Sequence, residues 1–204
     1  MTMEPTVFVV DDDEQARKSV CALIKSMGMR SQSFASAEDF LAEYQDRRPG
    51  CVVTDLHMPG MSGLDLQEQL IQRQFDIPVI VLTAFARTTT TVQAMQAGAQ
   101  AVLDRPYAED DLWGAIRKAL ADDTARHAKC EYRRDLGERF GRLTTLERKV
   151  LDLVVQGQPN KTIATELDIS MRTVANRRSD IMNKVQVSST AELLRMAFEA
   201  NSAE

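Results

Sequence analysis

Short apolar runs alternate with amphipathic stretches over roughly the first 120 residues of the chain. The runs lack the clean alternation of apolar and polar positions that a sheet with one wet face would show. They therefore predict strands covered on both sides, in a parallel sheet with helices on its two faces. The predicted strands are residues 6–10, 30–34, 51–54, 79–82 and 101–103, and the helices between and after them are 14–27, 36–44, 63–72, 88–97 and 109–120.

The last 63 residues, 142–204, show a different pattern of short helices separated by tight turns. Thr144 and Glu147 have the spacing of a capping box, and Ser189 and Glu192 repeat it before the last helix. Asn160 and Ser170 are predicted to cap the two helices between. Four short helices joined in this way predict an all-α helix-turn-helix domain.

Residues 123–141, between these two parts, lack proline and predict a helical linker. Apolar and small residues recur there mostly four apart, so the segment could prolong the helix that precedes it. Two interpretations stay open. The stripe is either part of a solvated spacer, which its weak apolar character favours, or a dimer seam. Its members are Leu120, Ala128, Tyr132, Leu136 and Phe140.

Charge divides the chain in the same way as hydropathy does. Residues 1–124 carry a net charge of −8, residues 125–141 carry +2 and residues 142–204 carry +1, within a chain of 204 residues and net charge −5. The acidic front and slightly basic rear suggest two domains with different partners. No apolar run is long enough for a membrane span, no signal peptide is apparent, and three widely spaced cysteines fit a reducing cytoplasm.

Acidic and polar residues follow the predicted strands. Asp11 and Asp12 follow the first strand, Asp55 the third, Thr83 the fourth and Arg105 the fifth. Loops at the carboxyl ends of parallel strands meet at one edge of a sheet. Carboxylates gathered there need a cation, and oxygen ligands favour Mg2+. A carboxylate beside Mg2+, a hydroxyl and a cation is a candidate phosphoryl acceptor.

The front motifs VFVVDDDEQ, VVTDLHMPGMSGLDL, VIVLTA and AGAQAVLDRPY resemble the receiver domain of two-component response regulators. The resemblance implies a receiver domain over residues 1–122, phosphorylated on Asp55 by a sensor histidine kinase. It also implies that Asp12, Asp55 and the backbone carbonyl of His57 hold Mg2+, that Asp11 assists through water, and that Thr83 hydrogen-bonds the phosphoryl group.

Two positions depart from the family pattern. Arg105 stands where the family has lysine, and a planar guanidinium does not replace a point charge neutrally. Val102 stands where the family usually has an aromatic residue that turns inward on activation. Tyr107 or Phe85 could replace that aromatic residue. An alternative function follows from Arg105, namely a degenerate receiver that works independently of phosphorylation.

The rear motifs LTTLERKVLDLVVQG, NKTIATELDIS, RTVANRRSDIMNKV and STAELL resemble the LuxR-type helix-turn-helix domain, here residues 142–204. Receiver plus this domain is the NarL/FixJ organisation. The third helix, residues 171–185, is then the recognition helix, with Val174, Ile181 and Val185 facing inward. Asn176 is the candidate for reading adenine. The other candidate DNA-binding residues are Asn160, Lys161, Arg172, Thr173, Arg177 and Ser179.

This third helix also departs from its family, with Ala175 and Arg177 where lysine and histidine are usual, which predicts a different operator. Arg178 falls near the buried side, and an ion pair with Glu147 is favoured over a DNA contact. The whole chain is expected to be a cytoplasmic transcriptional regulator that is not an enzyme, binds double-stranded promoter DNA, forms a homodimer when activated and has no membrane partner. An RNA-binding or protein-binding output is a weaker alternative.

Overall fold

The computed structural model describes residues 4–45, 49–84 and 88–201. The chain divides into two compact units, Met1–His127 and Ala128–Glu204. Each unit is built around its own buried apolar residues.

A five-stranded sheet forms the centre of the first unit. Its strands are all paired in parallel, in the order β2-β1-β3-β4-β5. This confirms the predicted doubly wound sheet, in which the strand order reverses between β1 and β3 and opens a crevice at their carboxyl ends. The strands are β1 Thr6–Val10, β2 Arg30–Phe34, β3 Gly50–Asp55, β4 Val79–Thr83 and β5 Ala101–Asp104.

Apolar side chains cover the two faces of the sheet in two separate clusters. In β1, Phe8 and Val10 belong to one cluster, and Val7 and Val9 belong to the other. Strand β2 differs from the prediction of strands buried on both faces, because it lies at the edge and only Phe34 is buried. The helices of this unit are α1 Glu14–Ser26, α2 Ala37–Glu43, α3 Gly63–Gln72, α4 Thr88–Gln96 and the start of α5.

Helix α5 runs without a break over Glu109–Gly141 and so contains all of the predicted linker. Leu136 is buried in the core of the second unit, and Phe140 packs against the same core. These two residues therefore stabilise the fold of the second unit. Tyr132 is 40% exposed, and its hydroxyl donates a hydrogen bond to Oε2 of Glu199.

Four short helices follow in the second unit, as the sequence predicts: α6 Thr145–Val155, α7 Asn160–Glu166, α8 Met171–Val185 and α9 Thr190–Asn201. The capping box of Thr144 and Glu147 is present, and Ser170 caps α8 by accepting from the backbone N–H of Thr173. The prediction that Asn160 caps α7 is wrong. Pro159 occupies that position without a side-chain bond, and Asn160 is the first helical residue.

Cys21, Cys51 and Cys130 are all free thiols. Within the described ranges, no helix combines the length and apolar character needed to cross a membrane.

Candidate functional site

Arg105 joins two carboxylates at the carboxyl edge of the sheet. Its Nη2 lies 2.5 Å from Oδ2 of Asp11, and its Nη1 lies 3.2 Å from Oδ1 of Asp55. Asp11 directly follows β1, Asp55 ends β3, and Arg105 directly follows β5. The structure thus brings together three of the predicted site residues, and one guanidinium partly offsets the charge of two carboxylates.

The carboxyl group of Asp55 is mostly buried and sits in a mixed electrostatic environment. The backbone N–H of His57 donates to its Oδ2 over 2.7 Å. Burial raises the pKa of Asp55, and the negative charges of Asp11 and Asp12 add to that rise, while the His57 amide and Arg105 oppose it. The side chain of Asp55 is therefore held in place by one amide and one guanidinium, with limited access to water.

The three consecutive aspartates after β1 have different surroundings. Asp11 is buried, whereas Asp12 and Asp13 are exposed. Asp13 caps α1, because its Oδ1 accepts from the backbone N–H groups of Gln15 and Ala16. Only Asp11 and Asp12 thus stay available to the site.

Thr83 is buried at the end of β4. Its backbone carbonyl oxygen accepts a hydrogen bond from the backbone N–H of Arg105 over 2.7 Å, which places the two residues side by side. Val102 is half-buried and packs against one core cluster, and Tyr107 packs against the other. Burial raises the pKa of the Tyr107 phenol. Phe85, the other candidate for the missing aromatic residue, lies outside the described residues.

Gly63 is a positioning residue that the sequence analysis did not single out. A Cβ built on it would lie 2.4 Å from the backbone oxygen of Asp55, well inside van der Waals contact. The glycine opens α3, whose N-terminus is closed by the capping box of Ser62 and Asp65. Only glycine lets this helix approach the phosphoacceptor candidate so closely. The sequence signal was the short Ser-Gly pair between the turn and the helix.

The residues at the carboxyl edge of the sheet offer oxygen atoms, which are suitable ligands for a divalent metal ion such as Mg2+. Among the residues that the structure describes, no group of three or more His, Cys, Asp or Glu is arranged to hold a metal ion. Mg2+ does not need such a group, since it commonly takes one or two carboxylates and keeps several waters. The carboxylates of Asp11 and Asp55 meet that requirement, with the His57 carbonyl and the exposed Asp12 close along the chain.

Helix α8 presents a polar face in the second unit. Val174, Ile181 and Val185 are buried in the core, as the sequence predicts. The candidate DNA-binding residues that are exposed to solvent are Lys161, Arg172, Asn176 and Ser179, while Asn160, Thr173 and Arg177 are half-buried. The Nη1 of Arg177 lies 3.1 Å from Oδ2 of Asp180, one turn further along the same helix.

The predicted ion pair between Arg178 and Glu147 is wrong. Lys184 takes that role, with its Nζ 2.7 Å from Oε2 of Glu147. The guanidinium of Arg178 instead donates to Oδ1 of Asn160 over 2.7 Å and to the hydroxyl of Thr190 over 3.3 Å. Arg178 therefore has an internal role, as expected, but it ties the first residues of α7 and α9 to α8.

Comparison with known protein families agrees with both halves of this structure. Residues 7–117 match the response regulator receiver domain, and residues 142–197 match the luxR family of bacterial regulatory proteins. The chain belongs to the two-component response regulators with a luxR-type DNA-binding domain. This response regulator is thus a transcription regulator whose output domain binds DNA through a helix-turn-helix.

Its relatives cover nearly its whole length. It is 40% identical over 193 residues to the transcriptional regulatory protein FixJ of Rhizobium meliloti, covering 95% of each chain. It is 37% identical to the response regulator protein TmoT of Ectopseudomonas mendocina, covering 95% of this chain and 88% of that one. The solved response regulator StyR superposes with a TM-score of 0.91 at 40% identity, covering 97% of this chain and 100% of that chain.

Proposed function

We propose that this response regulator is switched by phosphorylation of Asp55, with a sensor histidine kinase as the phosphoryl donor. The observation that carries the proposal is the bridge of Arg105 between Asp11 and Asp55. In this bridge, a mostly buried carboxylate lies beside a second carboxylate and a fixed cation. These are the groups that phosphoryl transfer to an acidic side chain requires.

In the reaction, an oxygen of Asp55 attacks the phosphorus atom of the donor. The bond from phosphorus to the donor breaks, its electron pair leaves with the donor, and an acyl phosphate remains on Asp55. The carboxylate must be ionised to attack, and the His57 amide favours that state while fixing one of its oxygens. The side chain of Thr83 is proposed to hydrogen-bond the transferred group, and the guanidinium of Arg105 to contact its charge.

Mg2+ would be held by Asp11, Asp12, Asp55 and the backbone carbonyl of His57. When bound, the ion neutralises negative charge on the phosphoryl oxygens. This assignment is supported by the oxygen chemistry of the donors and by the receiver family, whose sites commonly use the metal.

The DNA side of the proposal places α8 in the major groove of promoter DNA. Asn176 reads a base edge, and Arg172, Arg177 and Lys161 contact phosphates, together with Thr173, Ser179 and the start of α7 at Asn160. Phosphorylation favours a homodimer on two half-sites, and because promoter DNA lies in the bacterial cytoplasm, the regulator would act there.

The first test is intact-mass measurement after incubation with a small acyl-phosphate donor and Mg2+. The wild-type protein should gain one phosphoryl group, Asp55→Asn should gain none, and Asp39→Asn, which removes an exposed carboxylate from α2, should behave as wild type. Failure of the wild type to gain mass, or equal gain by Asp55→Asn, would contradict the proposal.

The second test couples the two domains. Fluorescence anisotropy with a promoter fragment, and sedimentation with and without beryllofluoride, should show tighter DNA binding and a larger species in the activated state. An unchanged affinity and an unchanged size in the presence of beryllofluoride would argue against phosphorylation as the switch.

A further inference from the structure

Arg105 places two nitrogen atoms on two different carboxylates. Its Nη2 contacts Asp11 and its Nη1 contacts Asp55, and its side chain is only 26% exposed. A lysine ammonium is a compact point charge, whereas a guanidinium is a planar fork that can hold two oxygens through separate nitrogens. Lysine, with one nitrogen, could not hold the two carboxylates through separate atoms in this way.

The same carboxylates are the proposed ligands of Mg2+. A cation that already contacts the oxygens of Asp11 and Asp55 opposes the arrival of a second cation, both by occupying their lone pairs and by repulsion. We propose that Arg105 competes with Mg2+ for these carboxylates, so that metal binding requires the guanidinium to leave at least one of them. This inference rests on the metal-assisted phosphoryl transfer proposed above. It describes what must move before the metal ion can bind.

The surroundings of Arg105 support a competing role. The carboxylates of Asp11 and Asp55 are buried, but the side chain of Arg105 keeps 26% of its surface exposed, so the guanidinium can move outward into solvent when a metal ion takes the carboxylate oxygens. Asp11 keeps other partners when the guanidinium moves, since its Oδ1 accepts from the backbone N–H of Asp13 over 2.9 Å. Asp55 likewise keeps the bond from the His57 amide. The carboxylates are thus held in place independently of Arg105.

The competition sets the order of events at the site. Without metal, the single positive charge of the guanidinium offsets one of the two negative charges of Asp11 and Asp55. With metal, the freed guanidinium is close enough to meet the incoming phosphoryl group, where its fork can contact two oxygens. Arg105 therefore weakens metal binding in the resting site and, once displaced, is available to the phosphoryl group.

Isothermal titration of Mg2+ into the full-length protein tests this directly, without any measurement of activity. Arg105→Ala should lower the Kd for Mg2+ about five- to tenfold, because no cation then competes for the carboxylates. Arg105→Lys should lower it by less, because the ammonium still competes for one carboxylate although it cannot hold both as the guanidinium does. Asp55→Asn should weaken Mg2+ binding, which shows that the titration reports this site.

Arg17→Ala is the matched control. Arg17 donates from Nη1 to the backbone carbonyl of Asp11 and contacts no carboxylate of the site, so its removal lowers the local charge equally but frees no ligand. Its Kd should stay within about twofold of wild type, because a charge that contacts no ligand oxygen acts on the metal only through solvent-screened electrostatics. Thermal unfolding without metal shows whether each variant is folded, and Arg105→Lys gives the test should Arg105→Ala unfold.

The outcomes separate this inference from the proposed function. Equal Mg2+ affinities in wild type, Arg105→Lys and Arg105→Ala, with normal phosphorylation of Asp55, overturn the competition alone. A decrease in Kd for Arg17→Ala as large as that for Arg105→Ala also overturns it, because net charge then explains the effect. Tighter Mg2+ binding by the Arg105 variants, without phosphorylation of the wild type, overturns the proposed function and leaves the competition standing.

Discussion

The ammonium group of Lys184 lies 2.8 Å and 2.7 Å from the two carboxylate oxygens of Glu147, a side chain that is 1% exposed. Oε2 of Glu147 also accepts from the backbone N–H of Thr144 over 2.7 Å. One carboxylate therefore closes the N-terminus of α6 and fixes the last turn of α8 to it. Burial opposes its ionisation, but the bonds from Lys184 and Thr144 outweigh burial and lower the pKa of Glu147.

Replacing Lys184 with methionine should destabilise the second unit by about 2 kcal/mol, because a buried carboxylate then loses its cation. The value is below that of a fully buried pair, since Lys184 is partly exposed. Hydrogen exchange of the amides in α6 and α8 measures the loss. Lys149→Met, which removes an exposed cation from α6, is the control and should leave exchange nearly unchanged.

The same pair predicts how stability depends on pH. Because the pKa of Glu147 is lower in the folded state, its contribution is fully present above the ordinary glutamate value of about 4.3 and is lost as the pH falls through the folded pKa. The protection of the amides in α6 and α8, relative to their intrinsic exchange rate at each pH, should therefore fall below that pH in the wild type. Glu147→Gln should flatten this dependence, whereas Glu166→Gln, on the exposed side of α7, should not.

Local patterns were enough to predict most of this fold. The strand β1 and the helix α8 have the predicted bounds, because an apolar run ended by aspartates and a serine cap before an amphipathic stretch are signals within a few residues. Local patterns could not predict which cation forms the ion pair with Glu147. Lys184 and Arg178 both lie on α8, six residues apart, and which one reaches Glu147 depends on how α8 crosses α6.

The same distinction holds at the candidate site. The approach of Asp11, Asp55 and Arg105 followed from the rule that the ends of parallel strands meet. That Arg105 holds both carboxylates depends on its side-chain conformation, which no spacing encodes. The Ser-Gly pair is the one sequence signal for the closeness of Gly63 to Asp55, and it is equally typical of an ordinary turn before a helix.

Gly63→Ala should impair the site without touching any of its side chains. The added Cβ would meet the backbone oxygen of Asp55, so α3 or the end of β3 must shift. We expect a loss of stability of about 1–3 kcal/mol and slower phosphorylation of Asp55. Denaturant unfolding followed by Trp113, the single tryptophan and a residue of the first unit, measures the stability.

Gly114→Ala provides the matched control for this glycine. Gly114 lies in α5, and a Cβ there would meet nothing within 4 Å. Alanine is the better helix former, so this variant should be more stable by about 0.5–1 kcal/mol. If both substitutions changed stability and phosphorylation alike, the close approach at Gly63 would have no functional importance.

Asp123 should prove to be a structural residue of the first unit. It is fully buried, and its Oδ2 accepts from the backbone N–H of Gly50 at the start of β3 over 3.0 Å. Asp123→Ala leaves that buried N–H without its acceptor, which should cost about 1–3 kcal/mol in the Trp113 unfolding experiment. Asp122→Ala, which loses a bond to the side chain of Gln100 that water can replace, should cost less. Equal costs would contradict the special role of Asp123.

Asn176 should determine sequence preference on DNA. It is exposed in the N-terminal half of α8, the part of a recognition helix that meets base edges. Asn176→Ala should weaken binding to the specific operator by about 1–3 kcal/mol and leave binding to unrelated DNA nearly unchanged. Asn183→Ala, an exposed asparagine nearer the end of the same helix, should affect both DNAs little. Equal weakening on both DNAs would show that Asn176 contacts the backbone instead.

Asp180 should restrain the contact of Arg177 with DNA. The two side chains form an ion pair at 3.1 Å, and Nε of Arg177 is buried with no hydrogen-bond partner among the described residues. A phosphate that binds Nη1 of Arg177 must therefore displace Asp180.

Asp180→Asn should consequently raise the affinity for DNA at low salt about three- to tenfold and steepen the dependence of log K on log salt by about one, because one more phosphate contact releases counterions. Anisotropy titrations at several salt concentrations measure both quantities. Asp152→Asn, an exposed carboxylate on α6, changes the net charge equally and should raise the affinity by less than about twofold, since it frees no arginine. The same gain in both variants, with the same salt dependence, would mean that general charge and not release of Arg177 controls binding.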